Sequence, residues 1–266
     1  MLEKIIRIAK EAGNIIINER KKGLVVKTKS SPFDFVTSAD EKSETHIIRE
    51  LKREFPSYQV LAEEQNKEIE QTHSNIWMVD PLDGTKDFKN GGSGFSVMIG
   101  LYQNGRPVLG VVYAPDKNII YYAQKGTGSY MLKDGAEKRI YVSKTSSIEE
   151  SKVVTRIPHG EIREEDRLVD YFNASQKIPE SSVGIKLGLI ARGLADFHVS
   201  SNSKTSKWDT CAPQIILEEA GGKLTDSKGK PLNYNQKQNL RNRSFVASNG
   251  LLHQNIIEKI KQYEGM

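Results

Sequence analysis

Two aspartates, Asp80 and Asp83, sit in the run Asp80-Pro81-Leu82-Asp83-Gly84-Thr85, directly after the apolar stretch Ile76-Trp77-Met78-Val79. This reads as a strand breaking into a tight turn. Pro81 keeps Asp80 out of the helical region, so the two carboxylates can reach one space from the two sides of the turn. The bend frees the Leu82 carbonyl as a further oxygen ligand. Gly84 and Thr85 can present backbone N–H groups to an anion. Hard divalent cations are held by oxygen sets of this kind, and magnesium bridges them to phosphate oxygens. A bare Asp-x-x-Asp-Gly is commonly just a turn with a helix cap. Here it stands at the mouth of a buried strand, where α/β proteins tend to hold ligands.

Further acids stand at similar junctions. Glu63-Glu64 ends the apolar run 58–62, and Asp209 lies in Lys207-Trp208-Asp209-Thr210 at an expected helix start. Alone, Asp209 reads as an N-cap with Trp208 as a hydrophobic staple. Asp40 or Ser38 reads as the cap of another helix. Each has a structural explanation of its own, yet together they supply acids at several strand-to-helix junctions of one chain.

Periodicity gives the elements that must position these residues. Leu2, Ile5, Ile6, Ala9, Ala12, Ile16 and Ile17 recur at helical spacing, and Gly23 ends that helix. A strand over 23–29, a loop over 30–36 and a helix over 38–55 follow, with Pro56 as the stop. Strands are predicted at 60–64, 76–80, 95–102, 108–113 and 119–123, and Asn104-Gly105 is a hairpin signal. The first half is therefore expected to carry a largely antiparallel sheet. Beyond residue 140 the pattern changes. Strands at 152–155, 195–199 and 244–247 alternate with helices at 166–172, 182–194, 208–220 and 251–263, which points to an α/β layer. The expected division is 1–140, with most of the candidate metal ligands, and 141–266, with Asp209.

Composition narrows the class. The chain has 266 residues, 37% hydrophobic and 27% charged, as in ordinary globular proteins. Its 39 basic and 34 acidic residues leave +5, which favours anionic ligands without identifying one. No basic stripe with interleaved aromatics points to nucleic acid. No apolar run reaches the roughly 20 residues that span a bilayer. The N-terminus breaks its apolar residues with charges, unlike a signal sequence. A single cysteine, Cys211, allows no internal disulfide and suits the cytoplasm.

The motifs in order resemble the lithium-sensitive, magnesium-dependent phosphatases of the inositol monophosphatase type. Val36-Thr37-Ser38-Ala39-Asp40, Ala62-Glu63-Glu64, Trp77-Met78-Val79-Asp80-Pro81-Leu82-Asp83-Gly84-Thr85 and Lys207-Trp208-Asp209-Thr210-Cys211-Ala212-Pro213 carry the resemblance. Glu219-Ala220-Gly221-Gly222 follows the last of these. Five fixed residues of the third motif would recur by chance roughly once in a million positions. The resemblance implies a layered α-β-α-β-α fold with the site between the two halves. It implies two or three magnesium ions on Glu63, Asp80, Asp83, Asp209 and the Leu82 carbonyl. Manganese is the implied substitute, and lithium and calcium the implied inhibitors. It also implies that Thr85, paired with Asp40, orients and deprotonates the attacking water beside Glu63. The oligomeric state is left as monomer or homodimer.

Within that family the chain resembles the 3'(2'),5'-bisphosphate nucleotidase branch. Lys86 and Asp87 follow Thr85, the stretch 207–214 is similar, and Lys186 precedes Gly193 by seven residues, where it could bind a second phosphate as a point charge. The implied substrate is adenosine 3',5'-bisphosphate, with Gly84, Thr85, Lys186, Ser182, Arg156 and His159 as candidate contacts. Two departures stand against the branch pattern. Val183-Gly184-Ile185 separates Ser182 from Lys186, and an Arg-Ser-His stretch appears only as Arg156-Ile157-Pro158-His159. An inositol or fructose bisphosphate phosphatase is the alternative.

Overall fold

The computed structural model describes residues 1–28, 35–65, 75–157, 162–201, 205–234, 240, 242 and 244–265. Helix α1 (Leu2–Lys22) buries Ile5, Ile8, Ala9, Ala12 and Ile16 along one stripe. Strands β1 (Val26–Thr28) and β2 (Phe35–Thr37) pair antiparallel. The loop expected over 30–36 is thus already strand at Phe35 and Val36, because pairing with β1 satisfies their backbone groups. Helix α2 (Ser38–Glu54) follows. Its N-cap is Thr37, not Ser38 or Asp40. Thr37 is extended at φ −113° and ψ 165°, and Asp40, three residues on, completes a capping box with it.

The first sheet is assembled in chain order from β3 (Gln59–Ala62), β4 (Asn75–Asp83), β5 (Ser96–Gln103), β6 (Arg106–Ala114), β7 (Ile119–Gln124), β8 (Gly128–Lys133) and β9 (Ala136–Ile140). Only β3 and β4 run parallel, so the sheet is largely antiparallel as predicted. Helix α3 (Thr85–Lys89) lies between β4 and β5. Asn104 and Gly105, at φ 50° and 87°, make the predicted hairpin between β5 and β6. The sequence reading missed β8 and β9. In β9 every residue but Ile140 is exposed, so no apolar alternation marks it.

The second sheet has the order β11-β10-β12-β14-β13, using β10 (Lys152–Thr155), β11 (Gln176–Pro179), β12 (Phe197–Ser200), β13 (Lys223–Asp226) and β14 (Phe245–Ser248). Strand β10 is parallel to both neighbours and β14 antiparallel to both. Between these strands run α4 (Glu164–Phe172), α5 (Val183–Ala191) and α6 (Lys207–Glu219), and α7 (His253–Glu264) closes the chain. Helix α5 is shorter than the predicted 182–194, because Ser182 caps its start and Gly193 adopts φ 71° beyond its end.

Helices α1 and α2 cover one face of the first sheet. Helices α5 and α6 fill the space between the sheets, and α4 and α7 lie on the far face of the second. The order is therefore α-β-α-β-α, as the family resemblance implied. Gly100 and Gly110 face each other across β5 and β6. A Cβ on either would press into the backbone of Ala212, so their bare backbones let α6 sit directly on the sheet.

Candidate active site

Strand alternation would send Asp80 and Asp83 to opposite faces. The register prevents this. Asp80 faces Met98 and Asp83 faces Ser96, so β4 spends three steps where β5 spends two. This bulge at Pro81-Leu82 reverses the parity and brings both carboxylates to the face covered by α5 and α6. The turn is tied down by the Asp80 Oδ1 atom accepting from Leu82 N at 2.9 Å, and by Ser43 Oγ donating to the Pro81 carbonyl at 3.1 Å.

Glu63, Asp80 and Asp209 each bring a carboxylate oxygen within 4.8 Å of the others. Glu63 follows the last residue of β3, and Asp209 is in the first turn of α6. Asp209 is not the N-cap expected from sequence. Ser206 caps the helix, Asp209 completes the box from N3, and its Oδ2 accepts from Ser206 N at 2.7 Å. Nor does Trp208 act as an outer staple, since it lies inside the helix, packed with Leu61, Met78 and Tyr234. Burial, and then repulsion from neighbouring acids, pushes the Asp80 and Asp209 carboxyls well above the ordinary aspartate range. Crowded like charges with oxygen donors only are what a hard divalent cation relieves. These three side chains fit one.

Asp83 stands outside that trio and reaches toward the second half of the chain. Its Oδ2 accepts from Ser182 Oγ at 2.5 Å and from Gly184 N at 3.0 Å. The N-terminus of α5 is thus aimed at this carboxylate. Gly184 permits the approach, since a Cβ there would lie 2.7 Å from Met98 Sδ and 2.8 Å from Ser96 Oγ. Burial raises Asp83 to about 6, while the Ser182 and Gly184 bonds and the Lys186 charge hold it down. Ser182 Oγ also meets Ser96 Oγ at 2.8 Å and accepts from Ile185 N. Its hydroxyl is therefore committed to building the site.

Lys186, one turn into α5, is 5% exposed. Burial lowers its ammonium, and the charges of Glu165, Asp83 and Glu180 act against that. Its backbone N–H donates to the Ser182 carbonyl at 3.0 Å, but among the described residues its ammonium makes no hydrogen bond. Arg156, at the end of β10, bonds Asp166 and adds its positive charge to the same region. His159 lies outside the described residues.

Thr85 Oγ1 lies 3.2 Å from Asp40 Oδ1 and 3.0 Å from the Leu82 carbonyl. One hydroxyl proton faces two acceptors, so the side chain is set to exchange between them. Asp40 Oδ2 accepts from Thr37 N at 2.8 Å and from Thr37 Oγ1 at 2.5 Å. The capping box of α2 therefore fixes this carboxylate. Sequence reasoning missed Glu44, whose carboxylate holds the backbone after Glu63. Its spacing from Asp40 places both on one face of α2, which was the available signal.

A layered fold with an acidic cluster between its first sheet and the helix layer beneath it is the frame of a metal-dependent phosphatase. The chain belongs to the inositol monophosphatase family, whose sequence profile matches residues 1–264. It is 34% identical over 253 residues to the 3'(2'),5'-bisphosphate nucleotidase CysQ of Salmonella typhimurium, covering 92% of this chain and 98% of that one. It is 28% identical over 258 residues to the inositol-1-monophosphatase of Bacillus subtilis, covering 94% and 92%. An IMPase structure from Thermotoga maritima superposes with a TM-score of 0.85 at 28% identity, covering 98% and 96%. Among the described residues, no helix is long and apolar enough to cross a membrane.

Proposed function

We propose that this phosphatase is magnesium-dependent and removes the 3'-phosphate of adenosine 3',5'-bisphosphate to give AMP and phosphate. The observation that carries this reading is Lys186, a residue only 5% exposed, whose ammonium feels the charges of Glu165, Asp83 and Glu180 and makes no hydrogen bond among the described residues. Such a cation is free to take a second phosphate as a point charge. The 34% identity to a CysQ nucleotidase supports the same assignment.

In this reading Glu63, Asp80, Asp83, Asp209 and the Leu82 carbonyl hold two or three magnesium ions. Manganese substitutes for magnesium, and lithium and calcium inhibit. The ions, when bound, neutralise the phosphoryl oxygens and make a water more acidic. Gly84 and Thr85 offer backbone N–H groups to a phosphoryl oxygen. The Thr85 hydroxyl orients the attacking water beside Glu63, taking its proton as it passes its own to the Asp40 carboxylate. The water oxygen bonds to phosphorus as the ester P–O bond opposite it breaks, and the departing 3'-oxygen takes a proton from a second water to leave as a hydroxyl. Arg156 and His159 are the candidate nucleotide contacts, and Ser182 acts through Asp83. Residues 1–140 and 141–266 contribute the two sides of the site.

A second reading, inositol monophosphate or fructose bisphosphate as substrate, is favoured by Glu165 and Glu180, whose charges both act on Lys186. Carboxylates there would accept hydroxyls and partly neutralise the ammonium. The deciding experiment compares kcat/KM for adenosine 3',5'-bisphosphate, inositol 1-phosphate and fructose 1,6-bisphosphate in magnesium. The nucleotide is expected to lead. An advantage of about tenfold for inositol 1-phosphate overturns the substrate assignment, and no phosphate release from any of the three overturns the phosphatase reading.

A further inference from the structure

One face of α2 meets both segments that carry the acids of the first half. Asp40 bonds Thr85, and Ser43 bonds the carbonyl of Pro81 at 3.1 Å. Glu44, fully buried, accepts from Glu64 N at 2.8 Å and from Gln65 N at 2.5 Å, one carboxylate oxygen for each. Positions 40, 43 and 44 share a helix face by their spacing. The Asp80–Asp83 turn and the backbone after Glu63 are thus set against each other by one rigid element.

Glu63 needs such an anchor. Strand β3 ends at Ala62, the residue before Glu63. Its charge acts directly on both Asp80 and Asp209. In the absence of a cation that repulsion drives Glu63 outward. Two charge-assisted bonds from the next two amides to a buried carboxylate oppose this movement. Gln65 adds its side-chain amide, which donates to the Glu41 carbonyl at 3.0 Å on the same helix.

We propose that Glu44 is a positioning residue for metal binding, holding Glu63 where its carboxylate meets those of Asp80 and Asp209. The proposal rests on the reading of Glu63 as a metal ligand. Its role is to prepay the ordering that an incoming cation would otherwise have to supply.

The fold contains a matched control. Glu219 also accepts two backbone amides, from Gly126 and Gly128, both at 2.8 Å. It stands ten residues along α6 from Asp209, about 15 Å away. The test measures Mn2+ binding to the substrate-free protein by calorimetry, together with thermal unfolding, in Glu44→Gln, Glu44→Asp, Glu63→Gln and Glu219→Gln. Glutamine at position 44 sets an NH2 against a backbone N–H, and aspartate withdraws the carboxylate by one methylene. Either is expected to weaken Mn2+ binding about tenfold, in the range usual for residues that orient a ligand. Glu219→Gln is expected to lower thermal stability while leaving Mn2+ affinity unchanged. If Glu63→Gln binds Mn2+ as tightly as wild type, the ligand reading fails and the proposal with it. If Glu63→Gln binds weakly but the folded Glu44 variant binds normally, the positioning role alone is overturned. Equal losses in the Glu44 and Glu219 variants also overturn it, since they report general destabilisation.

Discussion

Asp83 is the residue on which the two halves of the site depend together. One oxygen is engaged by Ser182 and Gly184, while the charge of the carboxylate acts on Asp80 and Asp209. Asp83→Asn can keep the first role, because an amide oxygen accepts from the same two donors, while it loses the charge that the second requires. The expected result is near-complete loss of phosphate release with an unchanged circular dichroism spectrum. A variant that turns over normally would remove Asp83 from the chemistry. Lys186 carries a different kind of claim. Lys186→Met preserves length and burial and deletes the charge. It is expected to raise KM for adenosine 3',5'-bisphosphate about tenfold or more while changing inositol 1-phosphate far less, since only the former offers a second phosphate. Equal effects on both substrates would make Lys186 a structural residue that offsets Asp83, Glu165 and Glu180.

At the scale of elements, what could be read in the sequence was what local periodicity and turn chemistry decide. Helix α1, the Asn104-Gly105 hairpin and the strand leading to Asp80 were all visible. The true caps of α2 and α6 were not. Thr37-Ser38-Asp40 offers several candidates, and the choice falls to the residue three before the acid, as it does for Ser206 and Asp209. Reading the capping box with aspartate at N3 would have found both. The bond from Ser182 to Asp83 spans 99 residues, and nothing local announces it. Buried histidines show the same dependence on tertiary context. His198 of β12 bonds the Val154 carbonyl of β10 through Nδ1, and His253 of α7 lies between Thr225 and Ser248. Burial lowers them to about 3 and about 4. Unfolding returns both to about 6.5, so the unfolded chain binds more protons below that pH. Their contribution is whole above pH 6.5 and fades as pH falls toward 4 and 3. Asp83, raised to about 6, acts in the opposite sense. The difference between wild type and His253→Gln isolates the imidazole. The variant's urea midpoint is expected to fall less steeply between pH 7 and pH 5, and parallel profiles would contradict the assignment.

Across the whole molecule, the acidic cluster joins the first sheet to the helix layer that separates the two sheets. Glu63 and Asp80 come from the first sheet, and Asp209 comes from the helix layer beneath the second. Without a cation, their repulsion works against the packing of α6 on the first sheet, where Gly100 and Gly110 admit Ala212. A bound divalent ion reverses the sign of that interaction and links residues 146 positions apart in the chain (209 minus 63). The metal is therefore expected to stabilise the fold as well as serve catalysis. Binding to the folded state alone adds about 2.7 kcal/mol at a hundred times the dissociation constant. For a chain of this size, that corresponds to a rise in melting temperature of several degrees. Scanning calorimetry over increasing magnesium should show the melting temperature climbing with the logarithm of concentration. Asp209→Asn should start higher than wild type in chelator, because one repelling charge is gone, and should respond weakly to magnesium. A variant that begins lower and climbs as steeply as wild type would show that Asp209 stabilises α6 as a cap and does not share a cation with Glu63 and Asp80.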